Sequence, residues 1–69
     1  MKVIINGKET TIADGLNIKD LIQSELKNYG NFNGIAVALN YNVIHRQDWE
    51  ETFVKENDVI DIVTAMQGG

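Results

Sequence analysis

A chain of 69 residues, 43% hydrophobic and 23% charged, has room for one small core, which excludes a second domain, wholesale disorder and collagen-like or coiled-coil repeats. It contains no cysteine, so disulfides, a thiolate nucleophile and thiolate metal ligands are all excluded and the core must hold the fold unaided. Ten acidic residues against six basic ones give a formal charge of −4, which argues against binding a phosphate backbone and suits a basic protein partner.

Residues 2–6, KVIIN, and residues 9–13, ETTIA, are two β-prone runs around Asn6-Gly7. Asn-Gly in that setting is a strong hairpin signal, because both residues of a tight hairpin turn take positive φ. Alternation along the first strand then points Val3 and Ile5 to the core and Ile4 to the opposite face. Asp14-Gly15 breaks the strand, and Asn17 is a candidate N-cap. Ile18, Leu21, Ile22 and Leu26 follow at i, i+3, i+4 and i+8. That spacing makes one apolar stripe and predicts a helix over residues 18–28, closed near Gly30. Lys19, Asp20, Gln23, Ser24 and Lys27 fall off the stripe. In the turn-rich segment 28–34, NYGNFNG, the two aromatics Tyr29 and Phe32 are expected to pin the loop to the core.

Residues 35–39, IAVAL, fit a buried strand, and Asn40-Tyr41-Asn42 turns it into a brief run at Val43-Ile44. Asp48 is placed to cap a single helical turn through Trp49, Glu50 and Glu51, with Trp49 as a core anchor. Phe53 and Val54 then return apolar bulk to the core. In the polar turn Glu56-Asn57-Asp58, Asn57 tolerates the left-handed conformation. Residues 59–64, VIDIVT, form a β-branched last strand.

The order is strand, strand, helix, strand, short strand, strand. One long helix covers only one face of such a sheet, so the layout is a two-layer α+β domain over residues 1–64, its other face meeting solvent or a partner. Residues 65–69 are a candidate flexible tail. No apolar run approaches the ~20 residues that span a bilayer, and the start lacks the basic-then-apolar order of a signal peptide, so the expected location is cytoplasmic.

The catalytic inventory is small. His45 is the single histidine, and a surface-loop imidazole without positioned partners is not an acid–base catalyst. Glu56, Asp58 and Asp61 lack the glycine and closing glutamate of a calcium loop and read as solvated charge, so no metal site is expected. The end of the chain is different. Gly68-Gly69 combines unhindered backbone with a terminal carboxylate, and five extended residues reach roughly 17 Å at ~3.3–3.6 Å each. Met66, Gln67 and Gly68 would thread into another protein's active site and present Gly69 there. A carboxylate is a poor electrophile. Its activation as an acyl-adenylate needs a nucleotide, a metal ion and groups that stabilise phosphoryl charge, so no cofactor is expected on this chain and a partner enzyme would use ATP and magnesium.

A β-branched last strand, a short tail and terminal Gly-Gly, after this element order, resemble the ubiquitin-like β-grasp superfamily. Within it the chain resembles the thiamine-biosynthesis sulfur carrier family (ThiS) over essentially its full length. The residues that carry the resemblance are the opening 1–7, then Asn40, Val43-Ile44, Arg46 and Trp49, and finally Asp58, Ile60, Ile62, Val63-Thr64 and Gln67-Gly68-Gly69. His45, Asn57 and Ala65 depart from it, standing where the family often has proline, glycine and proline. The resemblance implies a mixed sheet of four to five strands with the helix across one face and the first and last strands parallel neighbours. In that topology Ile4, Val59 and Val63 share the open face and form a candidate partner-docking surface. It also implies a carrier rather than an enzyme. Gly69 would be adenylated by a ubiquitin-activating-type adenylyltransferase, converted to a thiocarboxylate with sulfur from a persulfide donor, and would pass that sulfur to thiazole synthase. Three alternatives remain open at this point: a carrier like the molybdopterin-synthase small subunit, a ubiquitin-like modifier that forms isopeptide bonds, and a passive binding module.

Overall fold

The computed structural model describes residues 1–25 and 34–64. The chain opens with an antiparallel hairpin of β1 (Lys2–Ile5) and β2 (Lys8–Thr11), in register from Ile5 opposite Lys8 to Lys2 opposite Thr11. Asn6 and Gly7 have φ of 51° and 83°, the left-handed pair that a two-residue turn between right-twisted strands requires. This turn sets Lys8 directly across from Ile5, so β2 spans residues 8–11 rather than the expected 9–13.

Asn17 caps α1 (Ile18–Ser24) as expected, its side-chain oxygen accepting the Asp20 N–H at 2.7 Å. Ile18, Leu21 and Ile22 are fully buried, each contributing about 1.5–3 kcal/mol of apolar transfer. The helix is shorter than the expected 18–28. Ser24 Oγ donates back to the Leu21 carbonyl at 2.8 Å. The Glu25 N–H is shared between the carbonyls of Leu21 and Ile22, at 3.2 and 3.0 Å, a bifurcated closure typical of a helix end. The expected roles of Leu26, Lys27, Tyr29, Gly30 and Phe32 lie outside the described residues.

Strands β3 (Ile35–Leu39) and β4 (Asn42–Ile44) form a second hairpin, with Val37 opposite Ile44 and Ala38 opposite Val43. Its turn residues Asn40 and Tyr41 have φ of 50° and 72°. Asparagine accepts that region readily; a tyrosine there is strained.

A 3₁₀ helix, Arg46–Glu51, follows. It starts three residues earlier than the sequence suggested, so Asp48 lies inside its first turn and His45 occupies the N-cap position without a side-chain cap. The Asp48 N–H donates to the His45 carbonyl at 2.8 Å, which is why the turn closes there. Trp49 anchors the core as expected: it is buried, with Nε1 donating to the Ile44 carbonyl at 3.0 Å. Phe53 departs from expectation and stays 54% exposed, while Val54 is 4% exposed. A bridge between Asn17 and Phe53 holds this stretch extended, so the two neighbours face opposite ways and only one reaches the core.

The last strand, β5 (Val59–Thr64), lies in the middle of one five-stranded sheet of order β2-β1-β5-β3-β4. It runs parallel to β1, with Ile4 beside Val59 and Ile5 beside Ile60, and antiparallel to β3, from Leu39 opposite Ile60 to Ile35 opposite Thr64. The fold is therefore the mixed-sheet, single-main-helix α+β arrangement read from the sequence. Its core joins Val3, Ile5, Val37, Ile60 and Ile62 of the sheet to Ile18, Leu21 and Ile22 of α1, with Trp49 and Val54 closing the side.

Candidate functional site

Register decides which residues share the face away from α1, because residues directly opposite each other in a sheet project to the same side. Ile4 neighbours Val59, Asp61 is opposite Ala38, Ala38 is opposite Val43, and Val63 is opposite Ala36. Each of these alternates with a core residue, so Ile4, Val59 and Val63 share the face with Asp61, Ala36, Ala38 and Val43. Val63 is 58% and Val43 68% exposed, whereas Ile4 and Val59 are half-buried. At the β2 side, Glu9 stands opposite Ile4 and pairs with Lys2 at 3.7 Å. The helices lie on the other side, where Ile18, Leu21, Ile22 and Trp49 join the core.

Ala36, Ala38, Val43 and Asp61 were not anticipated as part of this surface. The run IAVAL reads as continuously buried, yet Ala36 is exposed and only Val37 is fully buried. A signal was available: Ile35, Val37 and Leu39 are large and Ala36 and Ala38 small, an alternation that fits one packed and one flatter face.

Strand β5 is tied down at both ends. At its start, the Asn40 N–H donates to the Val59 carbonyl at 2.7 Å, and Asn40 Oδ1 accepts the Val59 N–H at 2.9 Å. Asn40 Nδ2 also reaches Asp58 Oδ1 at 3.1 Å, and Asp58 Oδ2 accepts the Lys55 N–H at 2.7 Å. Asn57 takes the left-handed conformation foreseen for it, φ 68°, and its N–H donates to the Lys2 carbonyl at 2.7 Å. Further along, β1 has ended, and Asn6 Oδ1 accepts the Ile62 N–H at 2.8 Å, adding a rung in place of the missing backbone. The strand that leads in sequence to residues 65–69 thus has a fixed position. Met66, Gln67, Gly68 and Gly69 themselves lie outside the described residues.

Other chemistry-bearing residues have local roles. Arg46 stacks over Trp49, 5.9 Å from the ring centroid, a cation–π contact. A cleft of about 230 Å³ between α1 and the 3₁₀ helix is lined by Lys19, Arg46, Gln47, Trp49 and Glu50, and the Lys19–Glu50 ion pair at 3.3 Å crosses it. His45 is exposed. Among the described residues no three His, Asp or Glu side chains gather as a metal site, and no helix is long and apolar enough to cross a membrane. What the arrangement offers chemically is an apolar sheet face and a firmly held last strand.

Comparisons with known proteins place this geometry. A family model described as the ThiS family matches residues 3–69. The chain is 36% identical over 67 residues to the uncharacterized protein ycf40 of Trieres chinensis, an alignment covering 94% of this chain and 85% of that one. It superposes on the crystal structure of the thiamine biosynthesis protein ThiS from Geobacter metallireducens with a TM-score of 0.84, at 30% identity and over 100% of both chains. The solution structure of a thiamine biosynthesis protein from the same organism gives a TM-score of 0.75 at 30% identity, over 100% of this chain and 88% of that one. The match takes in both the sheet with its open face and the stretch through Gly69, and on that ground the chain belongs to the ThiS family.

Proposed function

We propose that the chain is a sulfur carrier of thiamine biosynthesis whose working group is the Gly69 carboxylate. The observation that supports this most is the family match, which covers residues 3–69 and so includes Gly69. The carrier is a co-substrate of partner enzymes and not a catalyst itself, and it works in the cytoplasm.

A ubiquitin-activating-type adenylyltransferase docks on the face of Ile4, Val59 and Val63. Met66, Gln67 and Gly68 thread into its active site, where the absence of side chains at the last two positions leaves room for a narrow channel and for attack on the carbonyl. A Gly69 carboxylate oxygen attacks the α-phosphate of magnesium-bound ATP, forming an acyl–phosphate bond and releasing pyrophosphate. The terminal sulfur of a persulfide then attacks the Gly69 carbonyl carbon and AMP leaves with the bonding pair. The resulting acyl disulfide is cleaved by a thiol, which keeps the donor's sulfur in a new disulfide and leaves a thiocarboxylate on Gly69. Thiazole synthase takes the sulfur from there. Both ATP and magnesium belong to the partner's site.

The test is intact-mass spectrometry of the chain after incubation with ATP, magnesium, the adenylyltransferase and a persulfide source, beside a chain lacking Gly69. The expected result is a mass gain equal to exchanging one oxygen for one sulfur, absent without Gly69. No gain with an enzyme shown to be active on another carrier would overturn the reading. A covalent adduct to other proteins' lysines would replace it with a modifier.

A further inference from the structure

Asp61 occupies the middle of the open face. It stands opposite Ala38, whose other neighbour is Val43, and it is flanked along β5 by Val59 and Val63 on the same side. Its side chain is half-buried. Nearby carboxylates have work within the fold: Asp58 binds Asn40 and the Lys55 N–H, Glu9 pairs with Lys2, and Glu56 accepts the Lys2 N–H at 3.3 Å. Asp61 has no such task. Among the described residues its carboxylate makes no hydrogen bond and no ion pair.

A lone carboxylate with Val59, Val63 and Ala38 beside it constrains what can cover the face. An entirely apolar surface laid over it would strip water from the charge and return nothing, a penalty that grows as the contact becomes drier. A surface that offers a cation at that point gains a desolvated, charge-assisted hydrogen bond instead. The chain's formal charge of −4 steers a basic partner in the same sense.

We propose that the open face receives an apolar surface bearing one lysine or arginine aimed at Asp61, and that this pair selects the partner. Surfaces of similar hydrophobicity that lack the cation are rejected by the stranded carboxylate. The proposal rests on the sulfur-carrier reading for the identity of the partner, the adenylyltransferase.

The experiment follows ATP–pyrophosphate exchange by the adenylyltransferase encoded in the same genome, with the wild-type chain, Asp61→Asn, Asp61→Lys and, as a charge control on the 3₁₀ helix, Glu51→Gln. Thermal melts establish that each variant is folded. The expected result is a KM for the chain raised about tenfold in Asp61→Asn and further in Asp61→Lys, with kcat unchanged, as for loss of one partner of a buried pair. Added salt raises the wild-type KM and has a smaller effect on that of Asp61→Asn. A wild-type KM in Asp61→Asn, or an equal rise in Glu51→Gln, would overturn the proposal while leaving the carrier reading intact. A wild-type chain that supports no exchange would overturn the carrier reading and the proposal with it.

Discussion

On the helix side of the sheet, Val3, Val37, Ile60 and Ile62 are 3% exposed or less, whereas on the opposite side Val43 and Val63 remain 68% and 58% exposed. The two sets come from the same sheet and are separated by the alternation of side chains, so similar residues in adjacent positions have different jobs. One set holds the domain together. The other leaves an apolar surface with a single carboxylate in its middle, which adds little to folding and is the surface proposed to receive a partner. In a chain this small, the core and the proposed docking surface are the two sides of one layer.

Substitutions that sort by face, rather than by residue type, would sharpen that contrast. The largest effect on stability is expected from Ile60→Ala, which opens a cavity among fully buried neighbours and costs about 2–5 kcal/mol. A domain of 69 residues has a total stability of only ~3–10 kcal/mol, so urea denaturation should show a large loss or outright unfolding. A nearly unchanged midpoint would break the distinction.

Asn40→Ala should follow, at about 1–3 kcal/mol. It removes the acceptor of the Val59 N–H and the donor to Asp58, and puts alanine at a φ of 50° that asparagine tolerates better. Hydrogen exchange should then show faster opening at Val59 and Lys55 than at Ile62, which Asn6 secures separately. Uniform acceleration would mean that the start of β5 is not an independent clamp.

Val63→Lys should change stability least, by within ~0.5 kcal/mol for an exposed position, yet weaken adenylation by raising the KM for the chain. Calorimetric titration against the adenylyltransferase checks it directly; unchanged affinity would remove Val63 from the docking surface. Core and open-face variants of similar hydrophobicity would then differ in opposite measurements.

Much of this was legible in the sequence because it depended on short-range chemistry. Asn6-Gly7 announced its turn, Asn17 its helix start, Asn57 its left-handed backbone, and Trp49 its place in the core. The misses arose where a competing partner, near or far in sequence, decides. The apolar stripe extended to Leu26, but Ser24 turning back on the Leu21 carbonyl is a competition that periodicity does not reveal. Phe53-Val54 offered no pattern to choose between them, and the bridge to Asn17 made the choice. Of the open face, Ile4, Val59 and Val63 followed from alternation once the first and last strands were taken as neighbours. Ala38 and Val43 needed the register of β3 against both β4 and β5. Asp61 in particular reads as ordinary solvated charge until its neighbours are known to be apolar.

The division of the sheet into a packed face and a proposed docking face is tested most directly by methyl NMR on Ile- and Val-labelled chain titrated with the adenylyltransferase. Methyl signals of Ile4, Val43, Val59 and Val63 should shift or broaden at low ratios of enzyme, while those of Val3, Ile18, Ile22 and Ile60 hold their positions until the complex saturates. Equal perturbation of both sets, or perturbation confined to Ile18 and Ile22 on the helix side, would contradict it.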